Sequence, residues 1–263
     1  MMKSPLLETR SISINFEGLN ALNDVSISIG NESITALIGP NGAGKTTLFN
    51  VISGFLSATT GAIRFKDKEI GGKPPHEIAQ LGVNRTFQDV RIIRNATVIE
   101  NILLAMRSQQ LETFFHATFL RKKVAVDTIR LRSRALELLC EVELDLHADS
   151  PASSLSYGQA KLLEITRVRA MNPVLLLLDE PASGLNPVML DKVKQLLVIM
   201  KQQGLCVLLV EHNMPFVFGI ADKIIVLDKG RKISEGTPEE VRVDRKVISA
   251  YLGSKHSTAD AKP

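Results

Sequence analysis

Hydrophobic and polar positions change rhythm along the chain, and each rhythm predicts a different element. Between Thr9 and Phe16, and again between Ala21 and Ile29, apolar side chains fall at every second position. That spacing predicts two half-buried strands, antiparallel and joined at the turn Glu17-Gly18. Ser33 to Ile38 reads as a short strand that runs into a glycine-rich turn and a helix beginning near Gly44. Ala62 to Phe65 predicts another strand and Pro75 to Leu81 a short helix. From Thr97 to Met171 the period is helical. Ile99, Ile102, Leu103 and Met106 share one apolar face, and Ala135, Leu136, Leu138 and Leu139 contribute to another.

After Met171 strand and helix alternate again. Val174 to Leu178 and Leu205 to Val210 are continuous apolar runs, and Val188 to Met200 between them is an amphipathic helix. Ile224 to Leu227 and Lys232 to Ser234 flank the hairpin turn Asp228-Lys229-Gly230-Arg231. Runs buried on both faces and separated by helices imply a parallel sheet with helices on each side. The expected fold is an α/β core interrupted by a helical insertion, with no repeat at periods of 20 to 50 residues. Ser254 to Pro263 is polar and expected to be disordered.

Composition narrows the class. Among 263 residues, 44% are hydrophobic and 23% charged, which excludes a disordered, collagen-like or disulfide-stapled chain. The net charge of +4 does not argue for nucleic acid, and scarce aromatics (no Trp, two Tyr, ten Phe) argue against a base-stacking surface of the single-strand-binding kind. Cys140 and Cys206 lie in apolar runs and are expected to be buried packing residues in a reducing compartment. Met1 to Arg10 has no apolar leader core, and the longest apolar runs fall far short of the ~20 residues a membrane span needs. The expectation is a cytoplasmic protein that does not cross the bilayer.

Two motifs carry chemistry. Gly39-Pro40-Asn41-Gly42-Ala43-Gly44-Lys45-Thr46 fits G-x4-G-K-[ST] between a strand and a helix, the context that makes it a phosphate loop. Backbone N–H groups and the helix N-terminus would cradle the β-phosphate. Lys45 would reach the β- and γ-phosphates and Thr46, beside Thr47, would ligate Mg²⁺. Downstream, Val174 to Leu178 delivers Asp179 and Glu180 at a strand's end. The first acid suits Mg²⁺ and the second a general base that polarises the attacking water.

Leu155-Ser156-Tyr157-Gly158-Gln159 precedes the acidic strand and resembles the signature sequence of ATP-binding cassette proteins. The match extends in order along the chain. Gln88, in Asn84-Arg85-Thr86-Phe87-Gln88, sits where that family has its glutamine loop, Ser183-Gly184-Leu185-Asn186 follows the acids, and His212 matches the switch histidine. Phe16 falls where an aromatic stacks on adenine. The resemblance implies a P-loop NTPase (RecA-like) core with an antiparallel β subdomain and an inserted helical subdomain. Within a single domain over 1–263 it places the core and β subdomain in residues 1–90 and 172–235, the helical subdomain in 91–171 and a C-terminal extension in 236–263. It further implies that ATP is hydrolysed with Mg²⁺ held by Thr46, Gln88 and Asp179, and that Glu180, His212 and Gln88 serve the reaction. Phe16, Gly39, Asn41, Gly42, Ala43, Gly44, Lys45, Thr46 and Thr47 would hold the nucleotide. Ser156, Gly158 and Gln159 would face the γ-phosphate of a second subunit across a head-to-tail dimer.

The chain from Thr9 to about Gly253 resembles most the ATP-binding subunit of bacterial branched-chain amino acid importers. Phe16-Glu17-Gly18-Leu19, Thr97-Val98-Ile99-Glu100-Asn101, Glu211-His212-Asn213-Met214 and Ala250-Tyr251-Leu252-Gly253 are its tokens. The long segment Gln109 to Arg134 argues against the lipopolysaccharide exporter's cassette; the alternatives are the cassette of a urea importer or of the lipopolysaccharide exporter, or a soluble, non-transport cassette protein. The implied partners are a second cassette, identical or paralogous, integral-membrane permeases and, indirectly, a periplasmic binding protein. No nucleic acid is implied, and the location is peripheral, at the cytoplasmic face of the inner membrane. Two departures stand out: Tyr157 replaces the usual Gly, and Ala160 and Leu162 replace polar and basic residues, which could weaken contacts of the signature helix. Arg121 to Arg134, with six basic residues and one acid, reads as a solvated helix face, the alternative being contact with anionic lipid heads or the cytoplasmic loops of a membrane partner.

Overall fold

The computed structural model describes residues 4–16, 18–31, 33–108 and 121–256. Strands β1 (Leu7–Phe16) and β2 (Leu19–Ile29) pair antiparallel from Leu7↔Ile29 to Phe16↔Leu19, as the alternation predicts. Gly18 lies in their turn with φ 100°, and Glu17 is outside the described residues. The other edge of β1 pairs with β4 (Thr60–Phe65), and β5 (Lys68–Glu69) closes a four-stranded antiparallel sheet.

A second sheet holds β3 (Ile34–Ile38), β6 (Val83–Arg85), β7 (Leu175–Asp179), β8 (Cys206–Val210), β9 (Lys223–Asp228) and β10 (Arg231–Gly236). Its order is β10-β9-β3-β8-β7-β6, parallel throughout except for the hairpin strand β10. Every residue of β3, β7 and β8 is buried, so their side chains feed two cores in alternation. Ile34, Ala36, Leu176, Leu178, Val207 and Leu209 join one core with α3 (Val98–Ser108), α5 (Tyr157–Arg169) and α6 (Pro187–Gln202). Leu37, Leu175, Leu177 and Leu208 join the other, against Leu48, Phe49 and Ile52 of α1 (Lys45–Ile52) and against Ile12, Ile14 and Leu22 of the antiparallel sheet. Helices thus lie on each side of the sheet, as expected, and on one face α1 is in addition sandwiched between two sheets. The reason is topological, because β1, β2 and β4 present a full apolar face that only another apolar layer can cover.

The helical stretch resolves into α3, α4 (Arg121–Cys140) and α5. Ile99, Ile102, Met106, Ala135, Leu138 and Leu139 are buried together, and Leu103 and Leu136 pack against them. Residues 109–120 of the long insertion lie outside the described residues. In the basic segment Arg130, Arg132 and Arg134 are exposed. Cys206 is buried, with its thiol 3.2 Å from the Gly30 carbonyl, but Cys140 is exposed. The correction follows from helix geometry: one residue past the buried Leu139 turns about 100° off the apolar stripe.

Four further helices complete the fold. Among these, α2 (Pro75–Gln80) matches the predicted short helix, while α7 (Met214–Ile220), α8 (Pro238–Val243) and α9 (Arg245–His256) go beyond what the hydrophobic pattern predicts. Helix α9 carries Ser254 to His256, against the expected disorder, while residues 257–263 lie outside the described residues. Among the described residues no helix is long and apolar enough to cross a membrane.

Candidate active site

The glycine-rich loop leaves the C-terminal end of β3 and enters α1. Gly39 has φ 151°, and a Cβ there would lie 2.1 Å from the Leu227 carbonyl of β9. Gly44 has φ 98°, and a Cβ would meet the Ala21 carbonyl and the Leu22 side chain at 2.7 Å. Neighbouring backbone thus demands glycine at both ends of the loop. Gly44 is also the N-cap of α1 and carries no side-chain cap. The first-turn N–H groups consequently have no side chain to satisfy them, which is what an anion requires.

Lys45 arches back over this loop. Its Nζ donates to the carbonyls of Gly39 (2.7 Å) and Pro40 (3.0 Å). Burial lowers the ammonium's pKa, and the carboxylates of Glu180 and Asp179 pull it back up. The cation and the acid pair therefore share one electrostatic site. Asn41, Gly42 and Thr46 are exposed, Thr47 is half-buried and Ala43 is buried. From the far end of the chain, Tyr251 of α9 reaches the same loop. Its phenol is pushed up to about 12 by burial, against a hydrogen bond from the Gly39 backbone.

Strand β7 brings the acids to its C-terminal edge. Asp179 is buried, and its Oδ2 accepts from Arg85 Nη2 at 2.7 Å. The same guanidinium donates to Asn50 Oδ1 (2.6 Å) and Ser53 Oγ (3.1 Å) beside α1. It lies 5.3, 5.4 and 6.0 Å from the ring centroids of Phe87, Phe49 and Phe55. Arg85 thus fastens β6, α1 and β7 around the acid, a role its sequence position does not reveal. Glu180 has φ 48°, unusual for a residue with a side chain, and its N–H donates to the Val210 carbonyl at 3.0 Å. Its Oε1 lies 3.7 Å from Nδ1 of His212, so the structure brings these two together.

Gln88 is exposed in the loop after β6, and that loop is pinned at both ends. Thr86 donates its N–H to the Leu177 carbonyl at 2.9 Å. On the far side, Glu164 of α5 accepts the Arg91 N–H at 2.9 Å, and Lys161 Nζ approaches the Phe87 carbonyl at 3.5 Å. Lys161 and Glu164 are themselves paired at 3.5 Å and essentially fully buried. Burial raises the Glu164 pKa, opposed by the Arg91 N–H and Lys161. This buried pair, also absent from the sequence reading, ties the glutamine loop to the signature helix.

Phe16 is 45% exposed at the end of β1, so it is not a core residue. Ser156 is the N-cap of α5 in a reciprocal capping box: its Oγ accepts from Gln159 N, and Gln159 Oε1 accepts from Ser156 N at 2.9 Å. Tyr157 packs on the loop after the acids, since a Cβ at Gly184 would lie 3.1 Å from its ring. Ala160 and Leu162 are buried within the packing of α5.

The family model described as ABC transporter matches residues 22–183, and that of the branched-chain amino acid ATP-binding cassette transporter matches residues 231–257. The high-affinity branched-chain amino acid transport ATP-binding protein LivG of Escherichia coli is 42% identical over 257 residues, covering 96% of this chain and 99% of that one. The corresponding BraF of Pseudomonas aeruginosa is 40% identical over 253 residues, with 96% and 99% covered. The crystal structure of the ADP conformation of an ATP-binding cassette of an ABC transporter superposes with a TM-score of 0.82 at 33% identity, covering 95% of this chain and all of that one. A phosphate loop, an acid pair and a signature helix on this scaffold, matched end to end by such relatives, mean that the chain belongs to the ABC transporter family as one of its ATP-binding, ATP-hydrolysing cassettes.

Proposed function

We propose that this cassette powers an importer of branched-chain amino acids. The observation that supports the substrate class most directly is the near-complete match to LivG and BraF, together with the separate match of residues 231–257. The chain would sit peripherally at the cytoplasmic face of the inner membrane, paired with a second cassette and bound to permease subunits that receive substrate from a periplasmic binding protein. The α/β core spans 1–90 and 172–235, the helical subdomain 91–171 and the extension 236–263.

In this reading Phe16 stacks on adenine while Gly39 to Thr47 hold the phosphates. Lys45 neutralises the β- and γ-phosphates, Glu180 takes the proton of the attacking water, and His212 and Gln88 position the γ-phosphate and that water. Ser156, Gly158 and Gln159 face the nucleotide held by the partner cassette. The donors offered to a metal by Thr46, Gln88 and Asp179 are a hydroxyl, an amide and a carboxylate oxygen. An all-oxygen set with one carboxylate fits Mg²⁺, which would spread the phosphate charge during hydrolysis. The buried, Arg85-anchored Asp179 gives that set one rigid member.

A groove of about 380 Å³ beside the glutamine loop includes Asn84, Phe87 and Arg167 in its lining, and Phe55, Ile93 and Leu104 there are 50%, 45% and 48% exposed. Three exposed large apolar side chains around one groove suit a permease helix. Substitutions across Asp89 to Arg94, on its lip, are expected to uncouple transport while basal hydrolysis by the isolated chain persists. Hydrolysis that collapses while transport per ATP stays normal contradicts this placement.

Two measurements test the reading. Lys45→Ala removes a charge-assisted phosphate contact, so affinity for a non-hydrolysable ATP analogue should fall by about 1.5–3 kcal/mol, roughly ten- to a hundred-fold. Equilibrium dialysis showing unchanged affinity rules out the phosphate-loop role. For the substrate, the chain is co-expressed with candidate permease and periplasmic binding-protein subunits and reconstituted in liposomes. ATP-dependent uptake of leucine, isoleucine and valine is expected; uptake of urea alone overturns the amino acid reading.

A further inference from the structure

One buried carboxylate plays no part in the reading above, yet it touches both loops that carry the hydrolytic side chains. Glu211 follows β8 directly, and its residue is 0% exposed. Strands β7 and β8 are in register from Leu175↔Cys206 to Asp179↔Val210, so Glu180 and Glu211 leave adjacent strand ends side by side. Glu211 Oε1 accepts the Ala182 N–H at 2.6 Å, from the loop after the acids. Its Oε2 accepts the N–H groups of His212 (3.0 Å) and Asn213 (3.2 Å), from the switch segment. Asn213 in turn caps α7 through the Phe216 N–H at 3.1 Å.

We propose that Glu211 is a positioning residue of the hydrolytic site, a bracket that holds the Glu180 loop and the His212 segment in one register. The proposal rests on the roles given above to Glu180 and His212. The physical need for a bracket is visible in the backbone. Glu180 sits at φ 48°, a conformation that persists only where its surroundings over-determine it. The Glu180 N–H to Val210 bond, the Ser183 N–H to Glu180 carbonyl bond at 3.2 Å and the Glu211 bond to Ala182 enclose that residue on three sides. The contacts of Glu211 are charge-assisted and point to backbone rather than to side chains, so they fix where the two loops run whatever occupies the site. Glu180 Oε1 and His212 Nδ1, 3.7 Å apart, are the atoms whose spacing depends on it. Burial raises the Glu211 pKa while the three N–H groups oppose that.

The test compares Glu211→Gln and Glu211→Ala in the full-length chain assembled with its partner subunits. A reacting group displaced by about 1 Å loses roughly a hundred-fold in rate. Glu211→Ala should therefore lower kcat by about that factor with ATP affinity unchanged within about three-fold. Glu211→Gln keeps one acceptor oxygen for one loop but turns an amide N–H₂ toward the other, and should retain a kcat about ten-fold above that of Glu211→Ala. Should Glu211→Ala fail to fold, Glu211→Gln alone decides, and it must lower kcat without weakening ATP binding. A wild-type kcat in either folded variant overturns the proposal, as does joint loss of kcat and ATP affinity, which marks Glu211 as a fold-keeping residue only. A Glu180→Gln control separates the two layers. If that control still hydrolyses ATP, the catalytic reading beneath the proposal fails; if it is inactive beside a fully active Glu211→Ala, the bracket alone fails.

Discussion

A Glu180→Gln cassette is expected to bind ATP almost normally and to hydrolyse it about 10²–10⁴-fold more slowly, the range for loss of a general base. The amide keeps the shape of the side chain and the backbone bond to Val210, so the loop stays where it is. It cannot take a proton from water. ATP and Mg²⁺ should then hold two cassettes together indefinitely, and light scattering should record a lasting dimer where the wild type returns to monomer. Ser156→Arg makes the opposite prediction. Ser156 caps α5 through Gln159, and a long cation at that N-terminus blocks the nucleotide presented by a partner. That variant should bind ATP as a monomer and neither dimerise nor turn over. If Glu180→Gln stays monomeric with ATP and its partner cassette supplied, the sandwich arrangement is wrong.

The phosphate loop and the acid pair were legible because their requirements are local. Eight contiguous residues specify the turn from β3 into α1, and five leucine-rich positions specify the buried strand that ends at Asp179. Pairing of His212 with Glu180 also follows once both are placed at the C-terminal ends of neighbouring parallel strands. What escaped was set at long range. Arg85 meets Asp179 across 94 residues, and only because the three-residue strand β6, with one apolar side chain, pairs with β7. Lys161 and Glu164 look like polar positions on a helix surface until the glutamine loop covers them. The sandwiching of α1 between two sheets is likewise a property of how layers stack, not of any local period. A different kind of miss occurred at the C-terminus. Thr237-Pro238-Glu239-Glu240 is a capping box with Pro at the first helical position, a local signal for α8 that hydrophobic periodicity does not register.

Arg85→Met is expected to destabilise the fold by about 3–5 kcal/mol, the scale for removing one partner of a buried ion pair. The side chains of Arg85 and Asp179 are only 7% and 8% exposed, so water cannot replace the guanidinium that the carboxylate loses. Methionine fills a similar volume, which keeps a cavity out of the comparison. The loss also removes the hydrogen bonds to Asn50 and Ser53 and the positive charge held among Phe49, Phe55 and Phe87. Against a total stability of about 5–15 kcal/mol, thermal unfolding should move down by roughly 10 °C. Arg85→Lys should fall between, because an ammonium preserves charge but not the fork that serves Asp179, Asn50 and Ser53 together. The double variant Arg85→Met/Asp179→Leu should recover much of the stability, since no unpaired charge remains buried, while losing hydrolysis if Asp179 holds the metal as proposed. Denaturation that shifts by less than about 1 kcal/mol in Arg85→Met, the value of an exposed pair, would show that the guanidinium does not anchor the acid.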